Sequence, residues 1–459
     1  MSRRSTLARS AVALLGAGAL AACGADPPPE LVSVPARQAD TELRDRIDGA
    51  PGTVVAGEPV NVALLRRFYA RHGFEPVWAT RPAQARSLVN AVLRAGDQGL
   101  DAGLFHAALL RRRATLSPVD HELILSDAFL SYADALARGA VPAERRGDDQ
   151  VLTPGPIDVA AALDDAAGSA DPAAAIEALA PATPTYRALR QALRRYRSGA
   201  PAGDSATTQR LRTIAVNLER ERWLPRPLPA DRVWVNVADE RLTLYRAGQP
   251  AFSTRVVVGQ DVEPEQSPEF RATIDAIFYN PPWVVPVDIV RAEILPKISQ
   301  DPDYLTRNRM VLLANGEVEQ LPGPEAGLGL IMFDMPNRFD VYLHDTPDKS
   351  IFKLGNRRIS HGCIRVQDPV GLAALLMRQP VEAIRQGIAM GSTTRHELPT
   401  PTPVFVVYQT AFVDTHGRLQ FRPDFYDRDA EVWQKLQRVP QGPRSVAQAD
   451  NRPTQSGLP

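Results

Sequence analysis

Cysteine is nearly absent from this chain: two occur in 459 residues, too few for a disulfide framework. An excess of either charge is missing as well. Lys and Arg total 53, as do Asp and Glu, so there is no basic field to hold nucleic acid. No apolar run approaches the roughly 20 residues that a spanning helix needs, which excludes a polytopic membrane protein. Proline, by contrast, is plentiful. Its 41 residues exceed the usual share of about 5% and point to long connections rather than long helices. With 44% hydrophobic and 23% charged residues, the chain has the balance of a soluble globular protein. Its length suits two or three domains of about 100–200 residues each.

The two cysteines sit in different contexts. Residues 1–22 open with Arg3, Arg4 and Arg9 and continue as an apolar run from Ala11 to Ala22. This reads as a secretory signal peptide, too short to cross a bilayer. The run ends Leu20-Ala21-Ala22-Cys23-Gly24, which resembles a bacterial lipobox, where the cysteine is lipidated and becomes the new N-terminus. Cys23 is therefore the expected lipidation site, with the membrane as a partner through that anchor. An ordinary cleaved signal with an incidental cysteine is the alternative. Removing residues 1–22 takes three arginines and no acid, leaving a net charge of −3. Gly24 after the cysteine fits the outer membrane, so the expected location is the bacterial cell envelope, facing the periplasm. One thiol, Cys363, is then left in the folded body. In an oxidising compartment such a thiol is either buried and inert or kept for chemistry.

Residues 23–40 read as a Pro-rich tether. From Thr41 to Ser198 the pattern is helical. Leu125, Phe129, Tyr132 and Leu136 recur three or four residues apart before Gly139, and Tyr186, Leu189, Leu193 and Tyr196 repeat the motif beside a solvated arginine face. Residues 199–230 read as a flexible linker and a short helix, 231–426 as a mostly β domain, 427–438 as a C-terminal helix and 439–459 as a disordered tail. Within the β domain Val233, Val235 and Val237 alternate, followed by Leu242 and Leu244. Further strands are expected at Thr254–Val258, Ile274–Tyr279, Leu328–Phe333, Phe339–His344 and Val404–Val413. One helix stands inside the domain, capped by Asp368, opened by Pro369 and stopped by Pro380. His72, His106, His121, His396 and His416 read as surface or loop residues, and Trp283 as core rather than a sugar platform.

The chemistry concentrates in FDVYLHDTPDKSIFKLGNRRISHGCIRVQDP, residues 339–369. Alternation along Phe339–His344 puts Asp340, Tyr342 and His344 on one face. Nineteen residues after His344 comes Cys363, within Ser360-His361-Gly362-Cys363-Ile364-Arg365 and just ahead of the capped helix. Backbone N–H groups and a helix start favour thiolate there. A cysteine nucleophile also needs a base in hydrogen-bond reach, and the base needs an orienting group. His344, His361 and Cys363 have suitable ligand types for zinc but no evident fourth partner, so neither a metal nor another cofactor is expected.

His344 followed by SHGC at this spacing resembles the signature of the YkuD-type L,D-transpeptidase family, and SHGCIRV resembles its YcbB-like branch. The segments LRRFYARHGFEPVW, TPTYRALRQALRRYR, VNLERERWLP, NPPWVVPVDIVRAEILPKISQDPDYL and PVFVVYQTAFVDTHGRLQFRPDFYDRD extend the resemblance from about Leu64 to Leu436. It implies an α+β multidomain chain: an N-terminal α-helical scaffold domain, then a mostly β, sandwich- or barrel-like catalytic domain with one helix following the cysteine. It also implies acyl transfer on the peptide stems of peptidoglycan, cross-linking their third residues through a cysteine thioester. L,D-carboxypeptidase action, attachment of lipoproteins to the wall and a non-catalytic wall-binding scaffold stay open as alternatives. By the resemblance Cys363 is the nucleophile, His344 the general base and acid, and the Asp345 carbonyl the group that orients it. The N–H groups of His361, Gly362 and Cys363 are the oxyanion hole. Tyr342 adds a hydroxyl donor, Arg365 pairs with a stem carboxylate or with Asp368, and Ser360 packs or holds the loop. Stem peptides are the expected partners, with cell-wall synthesis proteins beside them. Three departures stand out: no room for a peptidoglycan-binding module between Tyr196 and Arg210, a shortened lid between Val285 and Gly327, and Ala326-Gly327-Leu328-Gly329 without the family's Asn.

Overall fold

The long helices form where capping residues and apolar spacing agree. The computed structural model describes residues 41–48, 53–199 and 204–438, all within the unit Asp40–Pro459. The signal, Cys23, the tether and residues 439–459 lie outside the described residues. The first part of the chain holds α1 (Thr41–Asp48), α2 (Val62–Ala70), α3 (Pro82–Leu93), α4 (Ala107–Arg111), α5 (Pro118–Arg138), α6 (Val159–Gly168), α7 (Pro172–Glu177), α8 (Pro184–Gly199) and α9 (Ser205–Arg222). A small hairpin, β1 (Val54–Val55) with β2 (Glu58–Pro59), interrupts the helical run. The Ser117 side chain caps α5 at Asp120, Pro118 opens it, and Gly139 ends it at φ +92. A side chain at Gly139 would come within 2.6 Å of Glu219. The middle of α5, from Leu123 to Leu136, lies in the centre of the helical core.

Two expectations fail here for the same reason: polar residues are buried because they find partners. His106 is buried, not at the surface, with Nε2 2.7 Å from Asp127 and Nδ1 against Glu58. Burial alone would lower its pKa, but the two carboxylates outweigh burial and raise it. Of the expected flexible linker, residues 200–203 lie outside the described residues, and the chain on either side of them is helical. α8 runs to Gly199, and Asp204 caps α9 by accepting from Thr207 N at 3.0 Å. Nor is α9 short: it has 18 residues, and Asn217, Glu219, Arg220, Glu221 and Arg222 near its end are all buried.

The β domain comprises β3 (Arg232–Asn236), β4 (Arg241–Arg246), β5 (Gln249–Gly259), β6 (Phe270–Tyr279), β7 (Trp283–Val285), β8 (Met310–Leu312), β9 (Val318–Gln320), β10 (Ile331–Asp334), β11 (Leu343–His344), β12 (Arg358–Ser360), β13 (Ile364–Val366) and β14 (Thr394–Val407). Nine strands join in the order β12-β5-β13-β11-β10-β6-β14-β3-β4. β4 also pairs with β5, from Arg241↔Arg255 to Arg246↔Gln249, and closes the sheet into a barrel with β12 outside the ring. Closure removes the open edges that a flat sheet would expose. Val233, Val235, Leu242, Leu244, Phe333, Leu343, Ile364 and Val404 fill the interior. On the outer face Trp234, Phe405 and Val407 join the helical core, so β3 and the C-terminal end of β14 are covered on both sides. The chain is thus an α+β protein, a helical scaffold followed by a mostly β domain.

β7, β9 and β8 form a separate three-stranded sheet. With α10 (Val287–Ile289), a π-helical turn at Val290–Ile294, α11 (Leu295–Gln300) and α12 (Tyr304–Arg307), it makes a subdomain whose own core is Val285, Ile294, Met310 and Val318, with Trp283 packed half-buried against it. The single expected helix after the cysteine is two: α13 (Pro369–Met377) and α14 (Val381–Ala389). Pro380 ends the first and, with its fixed φ of −66, is the N-cap of the second. Val404–Val413 is not one strand either. After Val407 the chain leaves the barrel, and β15 (Ala411–Val413) pairs with β16 (Leu419–Phe421) against α8 and α9 before α15 (Arg428–Leu436).

Candidate active site

His344 is carried by only two residues of strand. The expected strand Phe339–His344 is replaced up to Tyr342 by a loop, because the Asn337 side chain supplies the hydrogen bonds a neighbouring strand would give. Its Oδ1 accepts from Phe339 N at 3.0 Å, its Nδ2 donates to Met335 O and Val341 O at 2.8 Å, and Asp340 turns at φ +51. The Tyr342 ring rests half-buried against the barrel core rather than on a polar strand face. From there Leu343 enters the core and His344 points to the opposite side. β11 runs parallel to β13, with His344 opposite Arg365 and Leu343 opposite Ile364.

His344 is buried, and its Nδ1–H donates to Asp345 O at 2.6 Å, so Nδ1 carries the proton of the neutral ring and Nε2 is the nitrogen that can accept one. Asp345 is itself clamped. Its N–H donates to Ile331 O at 2.8 Å, its Oδ2 accepts from Leu330 N at 3.0 Å, and Lys349 pairs with Oδ1. Gly329, at φ +64, lies so close that a Cβ there would be 2.5 Å from the Asp345 side chain. Burial, and after it the charge of Arg365, pushes the His344 pKa down to about 4, against the carbonyls of Asp345 and Leu328. The imidazole is therefore neutral near pH 7 and able to accept a proton.

Cys363 is the free thiol of the described residues, half-buried at the start of β13. Its Sγ–H lies 3.8 Å from Asp340 O. The expectation that a helix start favours thiolate is not met, because β13 separates the sulfur from α13 and burial pushes the thiol up. The Tyr342 N–H and Arg365 act in the opposite direction. Deprotonation thus depends on a base. Among the described residues, no group accepts from the N–H of His361, Gly362 or Cys363. Gly362 has φ +105, a conformation that favours glycine.

The neighbours divide cleanly. Ser360 Oγ–H donates to Cys363 O at 2.6 Å and holds the loop. The His361 side chain turns away from the sulfur to Glu293 of the β7–β9 subdomain, 2.8 Å from Nε2. Among the described residues there is no cluster of His, Cys, Asp and Glu arranged to hold a metal ion. Arg365 does not pair with Asp368, whose carboxylate caps α13 at Gly371 N, 2.8 Å. Among the described residues Arg365 makes no ion pair at all, and its Nε is buried without a hydrogen-bond partner. The sequence also left several supporting residues unseen. Gly329 was visible as part of a glycine-rich run, whereas Asn337, Lys349 and Glu293 carry no local signal.

Residues 63–193 match the family model of a scaffold domain, and residues 230–404 match that of the L,D-transpeptidase catalytic domain, YkuD. The barrel coincides with the second of these matches, to the L,D-transpeptidase catalytic-domain family. A putative L,D-transpeptidase of Haemophilus influenzae is 30% identical to this chain over an alignment covering 50% of each, so the chain spans about half the length of that curated relative. Among solved structures, an L,D-transpeptidase from Mycobacterium smegmatis is 14% identical, covering 39% of this chain and 58% of that one, with a TM-score of 0.22. A cysteine-to-serine mutant of Enterococcus faecium L,D-transpeptidase is 13% identical, covering 42% and 62%, with a TM-score of 0.17. Superpositions this loose carry no argument; the assignment rests on the domain match and the curated relative.

Proposed function

We propose that this chain is a peptidoglycan L,D-transpeptidase that works through a Cys363 thioester. The observation that carries the reading is a thiol whose neighbouring N–H groups have no acceptor, on the strand beside a neutral imidazole, inside a domain of this family. As sulfur attacks the carbonyl of the donor stem's third residue, its proton passes to His344 Nε2. The carbonyl oxygen becomes an oxyanion held by the N–H groups at 361–363, where one such donor is worth about 3 kcal/mol. The C–N bond then breaks, and the proton on Nε2 goes to the departing D-alanine amine. The side-chain amine of a second stem attacks the thioester and gives a proton to His344, and the thiol is released. The product joins two third residues. Arg365, a cation beside the thiol with no direct ion pair among the described residues, would take a stem carboxylate. Lipidation at Cys23 would hold the enzyme at the periplasmic face of the envelope, within reach of its polymer.

Muropeptides incubated with wild type and with Cys363→Ala decide the matter by mass spectrometry. Dimers from wild type and none from the variant, at equal melting temperature, are expected. Trimmed monomers alone would mean that water is the acceptor and the enzyme a carboxypeptidase. Dimers from the alanine variant would sink the thiol mechanism.

A further inference from the structure

We propose that Ser267 is a positioning residue of the acyl-transfer site, whose hydroxyl pins the peptide between Gly362 and Cys363 and so aims the Cys363 N–H at the developing oxyanion. The inference rests on the reading of the site given above. A peptide unit is planar and trans, so the Gly362 carbonyl and the Cys363 N–H point in opposite directions, and fixing one fixes the other. Ser267 Oγ–H donates to Gly362 O at 2.7 Å, and Ser267 Oγ itself accepts from Gly259 N at 2.9 Å. Ser267 is fully buried, in the connection between β5 and β6.

Its own backbone is held on both sides. Its N–H donates to Tyr426 Oη at 3.3 Å, and the Tyr426 hydroxyl in turn donates to Gly259 O at 2.6 Å. Its carbonyl accepts from Arg428 Nη2 at 3.1 Å. There is no slack at this contact, since a Cβ on Gly259 would lie 2.1 Å from Glu265 O. Ser360, from the other side, fixes the next peptide through Cys363 O. Two buried hydroxyls thus hold the peptides before and after the nucleophile, while the amides between them keep no internal acceptor. Gly362, free of a side chain at φ +105, would otherwise let that peptide swing.

The test compares two reactions of one thiol. Alkylation by iodoacetamide passes through no oxyanion, whereas acyl transfer from a stem tetrapeptide, or acylation by an aryl ester, does. Ser267→Ala is expected to lower kcat for acyl transfer about ten- to a hundred-fold, short of the full loss of an oxyanion donor. KM and the alkylation rate should stay near wild type. Ser267→Thr keeps a hydroxyl and should recover most of the rate, and Tyr426→Phe should give a smaller loss of the same kind. A Ser267→Ala protein that slows both reactions in parallel, or neither, overturns the proposal. Should that variant not fold, Tyr426→Phe decides by the same ratio of rates. If wild type fails to join stems yet its ester acylation still depends on Ser267, the substrate reading falls and the positioning role stands.

Discussion

Two buried clusters of charge in this chain obey opposite rules. Where α9 and α15 meet the barrel, the buried arginines have carboxylate partners: Arg220 with Asp429, Arg222 with Glu219, Arg428 with Asp149 and Glu269. Asn217 adds hydrogen bonds to both the N–H and the hydroxyl of Thr410. Around the thiol, Arg365 makes no direct ion pair among the described residues; Cys363, Asp348 and Glu293 act on it only from a distance, and its Nε is buried without a hydrogen-bond partner. Unpaired buried charge is costly. A seam that only has to hold two domains together neutralises its charges internally. If Arg365 receives a substrate carboxylate as proposed, that neutralisation is left to the ligand.

The sharpest way to break the comparison is to unpair the seam. Arg220→Met should destabilise the fold by about 3–5 kcal/mol, because Asp429 is left buried without its cation and Glu269 keeps only Arg428. Urea unfolding measures this, and a loss below about 1 kcal/mol would show that the seam is not a paired network. At the site the outcome should reverse. Arg365→Gln should leave the melting temperature unchanged or higher while raising KM for stem peptides about ten-fold, the scale of one charge-assisted hydrogen bond. The same variant should move the acid limb of activity. Arg365 is the second cause, after burial, of the low His344 pKa of about 4. Without that positive neighbour the ring protonates more easily, its pKa rises, and activity is lost at a higher pH than in wild type. A limb that stays in place would mean that Arg365 does not reach the imidazole.

Much of the barrel was legible in the sequence because its cause is local. The alternation of Val233, Val235, Leu242 and Leu244 marks strands that do fill the interior, and Asp368 with Pro369 marks the start of α13. The spacing from His344 to Cys363 brings the two onto neighbouring parallel strands. The rest was hidden because its cause is distant. LERER at the end of α9 carries four charges and no local sign of burial, yet it is buried because Gln409, Thr410 and Asp429 arrive from the far end of the chain. Phe339–His344 has a strand's alternation, but one Asn337 side chain satisfies its backbone instead. Ser267 is silent for the same reason: its hydroxyl acquires meaning only when the loop at Gly362 folds over it.

The smallest effect expected comes from the seam's exception, Glu221. It accepts from Gln409 Nε2 at 2.6 Å and from Thr183, but no arginine pairs with it directly. Burial pushes its pKa up to about 7, above the 4.5 of an unperturbed glutamate. Between those values the folded chain binds more protons than the unfolded one, so this group makes stability fall as pH rises from about 4.5 to 7, with the loss complete above that window. Glu221→Gln stays neutral at every pH and still offers an oxygen to Gln409 or Thr183. Its stability should therefore be flatter across the window. At pH 8 its melting temperature should exceed wild type by about 2–4 °C, the shift that about 1 kcal/mol gives in a domain of 150–250 residues. Parallel melting curves for the two proteins between pH 4.5 and 8 would instead mean that Glu221 is ionised in the fold and that the seam holds an unpaired charge after all, erasing its difference from the site.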